Sequence, residues 1–348
     1  MSETAVGLDD AAWQRLGQYL YAKGVTASVD LEARLLTGGQ SNPTYKLFSG
    51  GQTFVLRKKP AGELLPSAHA IDREFRVMQA LQDTPVPVPR MLLYCEDDSL
   101  LGTPFYVMAF LSGRVYFDQT LPEMTPVERT RVYSQMNRAI AELHRVNPEA
   151  VGLGDFGRAG NYFARQIRRW SQQYLENHTD RIKSLEKLIE WLPDRVPEDE
   201  LISIVHGDYR LDNVMLHPTS PEVIAVLDWE LSTLGHPLAD FSYHCMSWHI
   251  PPSLWRGIGG LDLKALGIPD ETTYIEQYVD VTGFGNVREH WDFYLAYNFF
   301  RIAAILYGIG ERARQGTAAA ADAFEMAAKA EPLADIGWHY AQRYQAGR

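Results

Sequence analysis

Apolar positions in the first third of the chain recur at two different spacings. Trp13, Leu16 and Leu20 follow the 3.6-residue period of an amphipathic helix, and Asp9 and Asp10 stand where carboxylates can cap its first turn. Beyond Gly24 the pattern shortens to β-type segments. Residues 44–48 and 54–58 flank Ser49-Gly50-Gly51-Gln52, whose two glycines suit the positive φ of a tight hairpin. Residues 70–82 return to helical spacing, with Phe75, Met78 and Leu81 on one face. Pro85, Pro87 and Pro89 then require an extended passage, because each removes a donor and restricts its neighbour. Two apolar segments follow, 90–95 and 105–110, both predicted as strands.

After Gly113 helical periodicity dominates, and helices are predicted over 126–146, 161–178, 182–192, 290–314 and 318–344. One β-rich island interrupts them, at 202–205, 214–216 and 223–227. The expected architecture is α+β and bilobal, with a small β-rich lobe over 1–111 and a larger helical lobe over 112–348. The connection falls near Met108 to Ser112, and clefts between lobes are common ligand sites.

Composition narrows the function classes. Lys and Arg number 33 against 44 Asp and Glu, a net charge of −11, which argues against broad binding to nucleic acid or an anionic membrane. Two cysteines, Cys95 and Cys245, make no disulfide framework and no Cys-x-x-Cys, so reduced thiols are expected. Met1 to Asp10 lacks the basic and apolar regions of a secretory signal, and no apolar run approaches the roughly 18 residues that span a bilayer. A cytoplasmic protein is therefore expected, with no nucleic acid or membrane partner. Oligomeric state stays open.

The densest chemical signal is His206-Gly207-Asp208-Tyr209-Arg210-Leu211-Asp212-Asn213, with a second acidic block at Leu227-Asp228-Trp229-Glu230. Phosphoryl transfer needs a carboxylate that orients the attacking hydroxyl, and oxygen ligands for the Mg²⁺ that neutralises phosphate. Asp208 and Asn213 stand five positions apart on one predicted loop. Asp228 closes a strand that can hairpin back beside them, and Arg210 can reach a transferred phosphate. A capped turn is the plain alternative for an isolated Asp or Asn. Two other nucleotide signatures fail. Gly152-Leu153-Gly154-Asp155-Phe156-Gly157 fits G-x-G-x-x-G but follows a predicted helix and Pro148, where that fingerprint needs a strand. No G-x-x-x-x-G-K-[ST] is present.

The His206 to Asn213 block resembles the catalytic loop of the aminoglycoside phosphotransferase and choline kinase superfamily, relatives of protein kinases. The likeness covers nearly the whole chain with the motifs in order. A finer likeness, to the phosphotransferase domain that some proteins carry fused to an acyl-CoA dehydrogenase, rests on four segments. These are Thr37 to Tyr45, Phe54 to Pro60, Arg165 to Trp170 and Gly235 to Asp240; no separate dehydrogenase domain is expected in this chain.

The resemblance implies a protein-kinase-like fold using ATP and Mg²⁺. In it Asp208 would be the base, Asn213 and Asp228 the metal ligands, and Glu230 a secondary or water-mediated ligand. Gly38, Gly39, Ser41 and Asn42 would belong to a nucleotide-covering turn. Arg57 would stand where the wider superfamily often has lysine, paired with Glu74. Met108 and Phe110 would lie on the segment whose backbone reads the adenine edge. Asp240 would cap a helix or tie the catalytic loop from behind, and His206 would brace that loop.

The acceptor is less determined. Arg165, Arg168 and Arg169 share a predicted helix with Tyr162, Trp170 and Tyr174, and Arg181, Lys183 and Arg301 add charge in the same lobe. A cationic, aromatic face suits an anionic or CoA-linked small molecule; alternatively it is a solvated face paired with Glu176 and Glu186. Three readings follow. The favoured one is a kinase for the alcohol group of a hydroxyacyl or hydroxyacyl-CoA compound. A kinase for aminoglycosides or choline-like amino alcohols would need an acidic pocket. A non-catalytic pseudokinase is disfavoured by the intact Asp208, Asn213 and Asp228 set.

Overall fold

The computed structural model describes residues 9–36, 42–60, 70–176, 181–198, 201–316 and 322–347, and the counts below are of these. The first helix, α1 (Asp10–Ala22), is capped by Asp9, whose carboxylate accepts from the Ala12 amide at 2.7 Å. Then come β1 (Glu32–Leu35), β2 (Thr44–Ser49), β3 (Gln52–Lys58), α2 (Ile71–Leu81), β4 (Met91–Cys95), α3 (Asp98–Leu101) and β5 (Phe105–Ala109). The five strands form one antiparallel sheet in the order β1-β2-β3-β5-β4. Gly50 and Gly51, at φ 55° and 76°, close the β2–β3 hairpin as expected. β1 was not expected from the pattern. Its residues are largely exposed and carry no apolar alternation, so pairing with β2 alone defines it as an edge.

Alternation along the strands divides the sheet between two cores. Tyr45, Leu47, Phe54, Leu56, Phe105 and Val107 pack with Leu16 and Leu20 of α1. Tyr106 and Met91 join α2 in the main core instead. Arg57 and Tyr106, opposite one another in register, therefore share the α2 side. Lys58 goes to the other side, buried, with its Nζ donating to the Leu101 carbonyl at 2.9 Å.

The larger part contains α4 (Pro126–Arg145), α5 (Tyr162–Leu175), α6 (Lys183–Trp191), β6 (Ser203–Val205), β7 (Val214–Leu216), β8 (Val223–Val226), β9 (Thr233–Gly235), α7 (Pro237–Cys245), α8 (Leu263–Leu266), α9 (Glu271–Thr282), α10 (Trp291–Arg314), α11 (Ala323–Ala328) and α12 (Ala330–Ala346). The β-rich island is two separate ladders, β6 with β9 and β7 with β8. α10 packs against α5, α6, α7, α11 and α12. It is long and apolar enough to cross a bilayer, yet 83% of its apolar window is buried in the fold. Helix was expected continuously over 318–344. Residues 317–321 lie outside the described residues, and the rest breaks at Lys329, because Pro332 offers no N–H to the Ala328 carbonyl and crowds it.

α2 is fastened to the larger part. The Arg73 guanidinium donates to the carbonyls of Phe156, at 2.5 Å, and Ser232, at 3.3 Å. Arg76 donates to the Gly152 carbonyl at 2.8 Å and pairs with Asp155. The glycine-rich 152–157 segment is thus a loop after α4 whose carbonyls serve α2, consistent with rejecting the dinucleotide fingerprint.

Candidate active site

The site begins where β6 ends. Gly207 has φ 86°, and a Cβ there would lie 2.7 Å from the Leu231 carbonyl oxygen, so the turn requires glycine. Behind the turn sits the buried carboxylate of Asp240, in the first turn of α7. It accepts from the amides of His206 at 2.7 Å and Gly207 at 2.9 Å, and lies 3.2 Å from His144 Nε2. Burial alone would raise its pKa; the hydrogen bond and charge of His144, with the field and amide of His206, hold it below the ordinary carboxylate value. Asp240 is therefore a charged staple under the loop.

The buried His206 joins the two acidic segments. Its Nδ1 faces the Asp208 amide at 3.3 Å and so accepts, which leaves Nε2 to donate to the Leu227 carbonyl at 2.8 Å. The Leu227 amide in turn donates to the Asn213 carbonyl at 2.8 Å. These bonds fix Asp208, Asn213 and Asp228 as neighbours.

Both Asp208 oxygens are engaged. Oδ1 accepts from the Tyr243 hydroxyl at 2.5 Å and Oδ2 from Asn213 Nδ2 at 3.1 Å. Asn213 Nδ2 also reaches the Asp208 carbonyl at 2.8 Å. Arg210 Nε lies 3.2 Å from both Asp208 Oδ2 and Asp212 Oδ1, and Arg256 holds the other Asp212 oxygen at 2.6 Å. Burial, then the Asp208 charge, push the Tyr243 phenol upward, so it keeps its proton and donates. The Arg301 guanidinium sits 5.2 Å from the Tyr243 ring centre and donates to the Gly207 carbonyl at 2.9 Å. Sequence reasoning missed Tyr243 and Arg256. Tyr243 was within reach of it, lying three residues after Asp240 on the same helix.

Asp228 follows β8 in the left-handed conformation, φ 64° and ψ 62°, which Asp tolerates better than most residues. Its side chain is 36% exposed and lies 3.6 Å from an Arg57 terminal nitrogen. Arg57 Nε is 3.3 Å from Glu74 Oε2, which also accepts from the Tyr106 hydroxyl at 3.0 Å. Glu74 Oε1 accepts from Asn42 at 3.1 Å. Burial pushes Glu74 up to about 7, against the pull of Arg57 and Tyr106, with Asp228 and Glu230 adding to the rise.

Asn42 is thus buried against the α2 carboxylate, while Gly38, Gly39 and Ser41 lie outside the described residues. Met108 sits within β5, registered against both Val55 and Met91. Phe110 lies just past that strand, with the Lys46 ammonium 3.9 Å from its ring centre. Glu230 lies in the single helical turn after Asp228. Among the described residues no group of three or more His, Cys, Asp or Glu side chains is arranged to hold a metal. The available donors are Asn213 Oδ1, its amide nitrogen being used on Asp208, and the Asp228 carboxylate. Such a sparse oxygen set suits Mg²⁺, which usually completes its shell with phosphate and water.

A small antiparallel sheet packed by α1 and α2, set against a larger helical part carrying this loop, is the arrangement of the protein-kinase-like phosphotransferases. Residues 32–272 match the model of the phosphotransferase enzyme family, and the chain belongs to that family. It is 43% identical over 322 residues to mouse (Mus musculus) acyl-CoA dehydrogenase family member 10, covering 92% of this chain but 30% of the relative. The chain therefore spans less than half the length of that curated relative. A crystal structure from Ralstonia eutropha, of a protein provisionally named an aminoglycoside phosphotransferase, is 51% identical with a TM-score of 0.87, covering 95% of this chain and 98% of that one. A thermostable aminoglycoside phosphotransferase mutant, solved with AMP-PNP and hygromycin B, shares the fold at 15% identity, with a TM-score of 0.62 over 93% of this chain and 98% of that one.

Proposed function

We propose that this protein is a Mg²⁺- and ATP-dependent kinase for an alcohol hydroxyl on a small molecule, with a hydroxyacyl or hydroxyacyl-CoA compound as acceptor. The observation that carries the reading is the fixed cluster of Asp208, Asn213 and Asp228, joined through His206, Leu227 and Asn213 and facing Arg57 and Glu74. ATP would enter the cleft between residues 1–111 and 112–348. The AMP-PNP bound to the hygromycin-binding relative supports a nucleotide there.

In the proposed reaction Asp208 takes the acceptor's hydroxyl proton while that oxygen attacks the terminal phosphorus of ATP. The bond to the bridging oxygen breaks and ADP leaves. Arg210 contacts the transferred phosphoryl group, and Arg57 contacts the phosphates, oriented by Glu74. Asn213 and Asp228 would hold Mg²⁺, with Glu230 secondary, and the ion would neutralise phosphate oxygens. The acceptor class is supported by the likeness to acyl-CoA dehydrogenase family members and by the arginines of α5. A cytoplasmic setting is supported by two buried, unpaired cysteines. The aminoglycoside reading is supported by the provisional name of the Ralstonia eutropha relative and by the hygromycin B bound to the AMP-PNP-bound relative.

The deciding experiment is ADP release from Mg-ATP with hydroxyacyl-CoAs, free hydroxy acids, choline or kanamycin. Acceptor-dependent release with the first two is expected. Release only with kanamycin or choline would replace the acceptor class, and nucleotide binding without release across the panel would favour a binding module.

A further inference from the structure

One face of α5, along its length to Glu176, and the loop before it form an open groove of about 920 Å³, lined by Arg158, Arg165, Arg168, Arg169, Asn161 and Gln172 among others. In a chain of net charge −11 this is a local reversal of sign. If the charge of this face were neutralised within the chain, its arginines would pair with neighbouring acids. They do not: among the described residues none of the four makes an ion pair, Glu186 is taken by Arg181 at 3.5 Å, and Glu176, at the rim, accepts from Gln172 at 2.9 Å. Arg165 is braced on the carbonyls of Arg158 and Ala159, at 2.5 and 3.5 Å. Arg158, Arg168 and Arg169 are exposed.

Tyr162, at the start of α5, packs at Gly235 beside Val205, the last residue of the strand that leads into the catalytic loop. Tyr162 lies within electrostatic reach of both Arg165 and Arg301. Arg301 contacts Tyr243, which contacts Asp208. A ligand filling the groove and reacting at Asp208 must therefore carry its negative charge at one end and its hydroxyl at the other, with a linker between. Several clustered guanidiniums match several phosphate groups, and the volume is that of a drug-sized ligand.

We infer that the α5 groove docks the phosphate-bearing handle of a CoA thioester, an adenosine 3′-phosphate 5′-diphosphate, while the acyl arm runs to Asp208. The path to Asp208 rests on the kinase reading above; binding of the handle does not. The test is calorimetry on the full chain with AMP-PNP present to fill the nucleotide cleft, titrating CoA, dephospho-CoA, adenosine 3′,5′-bisphosphate and inorganic phosphate. CoA and the bisphosphate are expected to bind, with dephospho-CoA at least about tenfold weaker. Arg168→Glu with Arg169→Glu, both exposed, should weaken CoA at least about tenfold and leave AMP-PNP affinity unchanged.

Equal affinities for CoA and dephospho-CoA, or CoA binding indifferent to the charge reversal, would overturn the assignment. So would inorganic phosphate binding as tightly as CoA, which marks a simple anion site. CoA binding that the variant weakens, without ADP release for any acceptor, would keep the groove and defeat the kinase reading. Phosphorylation of free hydroxy acids by a protein that does not bind CoA would do the opposite.

Discussion

The surroundings of Asp208 and the groove on α5 are both rich in charge, and they treat it in opposite ways. Around Asp208 both carboxylate oxygens, the loop amides and the flanking arginines are engaged by protein groups. Along α5 the guanidiniums meet carbonyls and an aromatic ring but, among the described residues, no carboxylate. A fully partnered cluster is pre-organised and does not rearrange for each ligand. One without carboxylate partners leaves its charge for something outside the chain. On the proposed reading, the first region fixes the chemistry and the second chooses the molecule.

Four changes test that contrast, in falling order of expected effect. Asp208→Asn should lower kcat by about 10²–10⁴-fold with nucleotide affinity intact, measured by ADP release beside calorimetric titration; near-normal turnover would remove the base from this cluster. Asp240→Ala strips the loop of its staple and leaves His144 and two amides facing a void. A loss of about 3–5 kcal/mol in denaturant unfolding is expected, and a loss under about 1 kcal/mol would mean the loop holds itself.

Glu74 gives a pH-dependent test. Its value of about 7 in the folded protein lies above the ordinary 4.5, so the folded state holds the extra proton between those values. The resulting stability is fully present below about pH 4.5 and is lost as pH rises through 7, by up to about 3 kcal/mol. Glu74→Gln should flatten that slope in unfolding curves recorded from pH 4.5 to 8. Parallel curves for the two proteins would mean that Glu74 stays charged like Asp240. Tyr243→Phe is the mildest change. Losing one hydrogen bond to Asp208, worth about 1–2 kcal/mol, should lower kcat several-fold; an unchanged kcat would show that Asp208 needs no support from α7.

What the sequence disclosed follows the same division. Asp208, Asn213 and Asp228 were legible because loop spacing and a strand end suffice to bring them together. Arg256 was not, since it reaches the loop from a distant segment through tertiary packing, and Tyr243 was passed over although it lies one helical turn after Asp240. α7 escaped notice because it is buried almost all round and shows no amphipathic stripe, and β9 because three residues make no period. Pro332 was visible, but the long helical rhythm around it concealed the break. The arginines of α5 could be counted in advance; their lack of carboxylate partners could only be seen in three dimensions.

The grip of Arg73 and Arg76 on the 152–157 loop carries a mechanical consequence. α2 belongs by sequence to the small lobe, yet it is bolted to the large one, and Glu74 rides on it. α2 also packs on β4 and β5 and accepts from Tyr106 through Glu74, so it is a strut through which the sheet bears on the large lobe, and the Arg57–Glu74 pair sits on that strut.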